Sequence, residues 1–205
     1  MGERIPEGLY ELFAGALEYP APSLAQRIER GVPSLALCHP EAAELLGAFG
    51  AYLEQAPEGE AEERYTAAFD LHPSCPPYVG YHLFGDAHPR GIFMARLREC
   101  YRSCGLPEGG ELPDHLSTML RFLARRRGDA LAAELAEECI IPAVEKMAQT
   151  VEGSPNPYGK VVQALRLLLR QSCPSGGPPR GGEEADRQDA PAEAPEEIPH
   201  EESGE

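Results

Sequence analysis

Apolar residues recur at offsets of three and four through most of the first 170 positions, the spacing of helices that each bury one face. The pattern is sharpest in Glu111–Leu123 (ELPDHLSTMLRFL), where Leu116, Met119, Leu120 and Leu123 share a face and Pro113-Asp114 supplies a start signal. Upstream, Leu9, Leu12, Phe13, Ala16 and Leu17 predict a helix over 7–18. Tyr19-Pro20 ends it, because proline disfavours helical geometry at the residue before it. A short helix over 23–30 comes next. Pro40 opens another, with Leu45, Leu46, Phe49, Tyr52 and Leu53 inward, which Pro57 and Gly59 break. A helix over about 60–71 turns Tyr65, Ala68 and Phe69 inward. Phe93, Met94, Leu97 and Tyr101 predict a helix over about 91–104, stopped by Gly105. Asp129 caps a long helix carrying Leu131, Leu135, Ile140, Ile141, Val144 and Met147, in which Pro142 predicts a kink or a break. The last helix, over 157–171, buries Val161, Leu165, Leu168 and Leu169.

Two stretches depart from this periodicity. Residues 72–91 (HPSCPPYVGYHLFGDAHPRG) read as one long irregular connection, rich in Pro, Gly, His and aromatics. Connections of that length inside compact domains are functional or disordered, and the aromatic content argues against disorder. From Pro174 onward the periodicity is lost: the final 32 residues hold eleven Gly or Pro, ten acidic and two basic residues. That composition predicts disorder. With Val, Ile and Thr sparse, strands are not expected. The predicted architecture is therefore all-α: a single-domain helical bundle of about seven to eight helices over 1–173, followed by a disordered acidic tail over 174–205.

Charge narrows the partners. The net charge is −16, half of it in the tail, so the body lacks the basic face that nucleic acid needs, and a basic peptide or protein surface is the natural complement. No run approaches the roughly 18 apolar residues of a membrane span. The start, MGERIPEGLYELF, lacks the basic and apolar regions of a signal peptide. A cytoplasmic protein without membrane insertion is expected.

Candidate chemistry is thin. Cys38, Cys75, Cys100, Cys104, Cys139 and Cys173 are expected to be reduced. Cys100 and Cys104 share a helix face, yet no second close Cys/His pair completes a metal site, so no metal is expected. No phosphate loop, dinucleotide fingerprint, nucleophile elbow or zinc-protease motif occurs. His82, His88 and His115 have no metal-like spacing, and Ser117 and Thr118 are expected to point away from an Asp114–His115 pair. Read alone, Asp114 is a helix cap, His115 a surface residue and Arg125-Arg126-Arg127 a cationic helix end. What remains is a binding module, not an enzyme.

A set of ordered motifs resembles a known family. Leu17-x-Tyr19-Pro20 is followed by Glu63-x-Tyr65-x-x-x-Phe69-Asp70-Leu71 and by Leu83-Phe84-Gly85. Next come Arg90-Gly91-x-x-Met94-x-x-Leu97-x-x-x-Tyr101-x-x-x-Gly105-Leu106 and Glu111-Leu112-Pro113-Asp114-His115-Leu116. Over about residues 7–171 the chain resembles the NarJ/TorD/DmsD family of molybdoenzyme assembly chaperones. Arg90-Gly91-x-x-Met94 is closest to the nitrate reductase delta-subunit branch, while Pro76-Pro77-Tyr78 is similar to chaperones of the related type II enzymes of the dimethyl sulfoxide reductase group. The resemblance implies an all-helical cytoplasmic chaperone with no catalytic activity and no cofactor of its own. Its partner would be a molybdopterin-carrying catalytic subunit, held through an N-terminal twin-arginine-type leader or its remnant. Arg90, Gly91, Glu111 and Pro113 are signature positions. Tyr65, Phe69, Tyr78, Phe84, Asp114 and His115 are the expected peptide site, the aromatics lining a groove and Asp114 pairing with a leader arginine. The alternative is a thiol- or metal-binding redox protein using Cys75, Cys100, Cys104 and Cys139. Monomer and dimer both fit the sequence.

Overall fold

The computed structural model describes residues 5–70, 73, 75–107 and 109–172. Its α-helices are α1 (Glu7–Ala16), α2 (Leu24–Cys38), α3 (Pro40–Gln55), α4 (Glu60–Phe69), α5 (Val79–Phe84), α6 (His88–Ser103), α7 (Leu116–Arg125), α8 (Ala130–Leu135), α9 (Ile141–Thr150) and α10 (Tyr158–Ser172). A π-helical turn, Ala136–Ile140, joins α8 to α9 without interruption, so the described residues form nine helical rods. The class is all-α: the described residues hold no strand, only an isolated antiparallel bridge between Tyr78 and His115. The ninth rod is α5, which lies inside the stretch expected to be irregular. The acidic tail expected over 174–205 lies outside the described residues.

Packing follows the apolar stripes. Leu116, Met119, Leu120 and Leu123 of α7 are all buried, as are Val161, Leu165, Leu168 and Leu169 of α10. α1 packs against α7 and α2, α2 against α3, α3 against α10, and α10 against α9. Gly50 permits the close α2–α3 crossing, since a Cβ there would stand 2.9 Å from Ile28 Cγ2.

Two helical rods carry an internal proline, with different outcomes. α2 does not stop near Arg30 but runs to Cys38 with Pro33 inside it. Pro33 has no N–H to return to the preceding turn, but Ile28 and Leu35, fully buried on either side, keep both halves against the core. Pro142 does disturb its helix. The chain upstream widens so that the Ile141 N–H reaches the Ala136 carbonyl, five residues back, and the proline falls in the first turn of α9. Across that π turn the buried stripe runs Ala132, Ala136, Ile140, Val144 and Met147, leaving Leu131 47% exposed on the outer side.

Candidate functional site

The stretch expected to be irregular meets the entrance of α7. Pro77–Val79 runs alongside Asp114–Leu116: Val79 N–H donates to the Asp114 carbonyl (2.8 Å) and Leu116 N–H to the Pro77 carbonyl (2.8 Å). On the far side, Tyr101 of α6 donates its hydroxyl to the Pro113 carbonyl at 2.7 Å in a buried contact. The entrance to α7 is thus held from two elements, and α5 starts directly beside it.

This arrangement reverses the roles read from the sequence. Asp114 is not the helix cap; His115 is, its Nδ1 accepting from the Ser117 N–H at 3.2 Å. Nor does His115 lie on the surface: it is 2% exposed, with the Tyr78 ring edge-on at 5.3 Å. Ser117 does not point away but brings Oγ to 2.7 Å from His115 Nδ1. Both side chains are buried, so the pair closes the first turn of α7 and offers no accessible nucleophile. Burial pushes the His115 pKa down against the opposing pull of Glu111, Glu18 and Asp114, with Arg121 lowering it further.

Asp114 is fully buried, and its charge is met by Arg90 of α6, whose Nε donates to Oδ2 at 2.8 Å. The same guanidinium donates from Nη1 to the exposed Asp86 at 3.0 Å. It also lies over the rings of Tyr78 (5.5 Å) and Tyr81 (5.8 Å). Burial works against the Arg90 charge, but the two carboxylates outweigh it and raise its pKa. Asp114 Oδ1 takes no hydrogen bond. Gly80 makes room for this packing, because a Cβ there would stand 2.7 Å from Asp114 Oδ2.

Of the expected peptide-site residues, Tyr78, Phe84, Asp114 and His115 gather around α5. Phe84 packs on Phe93 at 5.6 Å and remains 38% exposed. Tyr65 and Phe69 belong to a neighbouring buried cluster with Phe49 and Tyr158, from which Tyr19, edge-on to Tyr65, and Tyr52, stacked on Phe49, lead toward the surface; Tyr65 still lies within electrostatic reach of Tyr78. Glu111 is exposed and accepts from the Tyr78 hydroxyl at 3.5 Å. Burial raises the Tyr65 pKa, reinforced by the charges of Glu111, Glu18 and Asp70, so acidic groups border both clusters. Gly91 is exposed on α6 and Pro113 is buried. Sequence reasoning left Arg90 as a signature residue and gave Tyr81 and Asp86 no role. The signal was present: Arg90 is the one Lys or Arg between Asp70 and Ala95, and a buried carboxylate needs a cation.

Three of the four cysteines of the redox alternative are poor thiolates. Burial pushes the Cys75 thiol up to about 12 and Cys139 up to about 11, and Cys100 is also raised. Reactive thiols shift the other way. Among the described residues no three His, Cys, Asp or Glu side chains converge on a possible metal position. A cavity of about 420 Å³ between α3, α4 and the start of α10 shares no residue with the α5 site, and its charged lining is balanced between Glu60, Glu152, Arg64 and Lys160.

The family model described as "Nitrate reductase delta subunit" matches residues 37–162, more than half of the chain. The chain belongs to that family. The delta-subunit match covers α3 to α9 and takes in every element of the α5 site. A curated relative from Bacillus subtilis (strain 168), "Probable nitrate reductase molybdenum cofactor assembly chaperone NarJ", is 32% identical over 108 residues. The aligned part is 52% of this chain and 58% of that protein. A crystal structure from Archaeoglobus fulgidus, described as that of a "Putative Redox Enzyme Maturation Protein", superposes with a TM-score of 0.58 at 23% identity, over 83% of this chain and 97% of that one. At that identity the likeness speaks to the delta-subunit fold alone. No helix among the described residues is long and apolar enough to cross a membrane.

Proposed function

We propose that this delta-subunit family member is a cytoplasmic assembly chaperone for a molybdopterin enzyme. In this reading it holds the catalytic subunit, through an N-terminal leader or remnant peptide, until the cofactor is inserted. The client is a nitrate-reductase-like subunit, or one from the type II dimethyl sulfoxide reductase group that Pro76-Pro77-Tyr78 resembles. The chemistry of the α5 surface supports the reading. Seven large apolar side chains are exposed among the described residues, and four of them (Tyr81, Phe84, Ile92 and Leu112) lie on α5, the start of α6 and the approach to α7. The exposed Glu111 and the buried Asp114 lie beside them. Apolar rings beside carboxylates match a segment that places arginines ahead of an apolar run. The Bacillus relative's name points the same way.

The test is affinity capture of the tagged full chain from its native cytoplasm, with mass spectrometry and molybdenum analysis of what co-purifies. A molybdoenzyme catalytic subunit, recovered mainly in its cofactor-free form, is expected. Recovery of no such subunit, together with stoichiometric metal on the chain itself, would replace this reading with the redox one.

A further inference from the structure

The guanidinium of Arg90 lies in a seat built of the buried Asp114 and the rings of Tyr78 and Tyr81, and the exposed Asp86, four residues before it, tethers it there. Arg90 fills it incompletely. It offers Asp114 a single N–H and spends another on Asp86, and Asp114 Oδ1, in a fully buried side chain, is left without a partner. Carboxylates bind guanidinium best as a two-pronged fork, with both oxygens engaged. Asp114 in this state holds half of that arrangement.

We propose that this seat is a guanidinium-binding site for an arginine side chain of the client, and that Arg90 is its resident occupant, displaced when the client binds. The inference rests on the reading above that the client segment carries arginine. The chain can release Arg90 because that side chain is already 14% exposed and its outer partner, Asp86, is 80% exposed. An incoming arginine restores to Asp114 the charge that Arg90 withdraws and can engage Oδ1 as well. A lysine ammonium presents only a point charge to the two rings and cannot form the fork, so competition with Arg90 selects arginine over lysine. Because the occupant is tethered, it also lowers the apparent affinity by the fraction of time the seat is filled.

Two measurements on the full chain test this. The first uses Asp86→Asn, which loosens the resident arginine at an exposed position without disturbing the fold. Calorimetric titration with a synthetic peptide bearing an Arg-Arg pair ahead of a Leu/Phe/Ala run should show binding tightened roughly two- to fivefold, the worth of one exposed ion pair. The Lys-Lys counterpart should gain nothing. Direct use of Asp86 by the peptide predicts the opposite sign, so unchanged or weaker Arg-Arg binding overturns the proposal. The second uses Arg90→Ala with millimolar ethylguanidinium as probe and ethylammonium as control. Ethylguanidinium alone should raise its melting temperature, or restore folding if the variant is unfolded, and should leave the wild type unmoved. No response to ethylguanidinium overturns the seat. Should neither peptide bind any form of the chain, the leader reading fails while the ethylguanidinium result still decides the seat.

Discussion

Two aromatic clusters in this protein use the same residue types to opposite ends. Around Tyr158, the rings of Phe49, Tyr65 and Phe69 pack at 4.8, 5.5 and 5.4 Å, and every one of them is buried. Around Arg90, Tyr78 and Tyr81 meet a cation at 5.5 and 5.8 Å, with Phe84 and Phe93 beyond, and Tyr81 and Phe84 stay in reach of solvent. Rings facing rings close into a core. Rings facing a charge stop at the surface, because the charge and its exposed partner Asp86 keep one side wet. On the function proposed above, the difference separates a cluster that supports the fold from one that receives a partner.

Truncating one ring in each cluster should break the symmetry most plainly. Phe69→Ala removes a ring that is 3% exposed and should cost about 3–5 kcal/mol of stability, read by denaturant unfolding. Phe84→Ala removes one that is 38% exposed and should cost about 1 kcal/mol or less, while weakening peptide binding by about tenfold. A Phe84 variant that unfolds as readily as the Phe69 one would make the α5 surface a piece of core.

Gly80→Ala sharpens the comparison from the backbone side. A methyl at Gly80 would stand 2.7 Å from Asp114 Oδ2 and 3.1 Å from both Arg90 Cγ and Phe93 Cδ1. The better helix propensity of alanine favours the variant by up to about 1 kcal/mol, but forcing α5 off a buried carboxylate should cost about 1–3 kcal/mol. A net loss of about 1 kcal/mol is expected in thermal unfolding, together with weaker peptide binding. A more stable variant would mean that α5 is not seated on Asp114.

How much of this was legible in the chain follows from the same contrast. The stripes of α7 and α10 were readable because a buried face repeats with the helical period, and Asp129 accepts from the Leu131 N–H as a cap should. α5 was not readable: the six residues Val79–Phe84 are too few to show a period, and its stability comes from contacts with α6 and α9. Pro33 misled because packing around Ile28 and Leu35 outweighs one missing hydrogen bond. At the site, Asp114 and His115 stood out, but their roles depend on Arg90, 24 residues away, and on Ser117 turning back to the imidazole. Tyr65 and Phe69 carry the family pattern without marking the surface, since an aromatic at helical spacing looks the same whether it lines a groove or fills a core.

Acid should act on the two regions unequally. Burial lowers the pKa of both His115 and His82, and both lie beside the α5 site. An unfolded chain takes up these protons near the ordinary value of 6.5 while the folded one resists, so stability should fall as pH drops below 6.5 and level off once the folded histidines protonate. Glu18, held below the usual carboxylate range mainly by its hydrogen bond from Arg121, adds stability that persists above 4.5 and is lost only as pH falls through its lowered pKa. Melting temperature measured from pH 7.5 to 5 should therefore decline, and His115→Asn should flatten the decline while keeping a competent helix cap. An unchanged slope would mean that His115 is not buried in solution.

The smallest expected effects come from removing single hydroxyls, and in the core cluster they carry the sharpest sign. Tyr158 is fully buried and its hydroxyl has no hydrogen-bond partner, whereas the Tyr65 hydroxyl donates to the Leu17 carbonyl at 3.4 Å. Removing an unsatisfied buried polar group relieves its desolvation penalty, but removing a satisfied one forfeits a bond and orphans a carbonyl. Tyr158→Phe should thus be neutral or stabilising by up to about 1 kcal/mol, and Tyr65→Phe destabilising by about 0.5–1.5 kcal/mol. Near the Arg90 cluster the order should invert: Tyr78→Phe, whose hydroxyl meets only the exposed Glu111, should leave stability within about 0.5 kcal/mol. Its ring would still stack on the guanidinium, so arginine-peptide binding should persist. Loss of stability in Tyr158→Phe would mean that its hydroxyl is satisfied, and the cluster would then be polar at its centre, closer in kind to the surface one than the ring geometry implies.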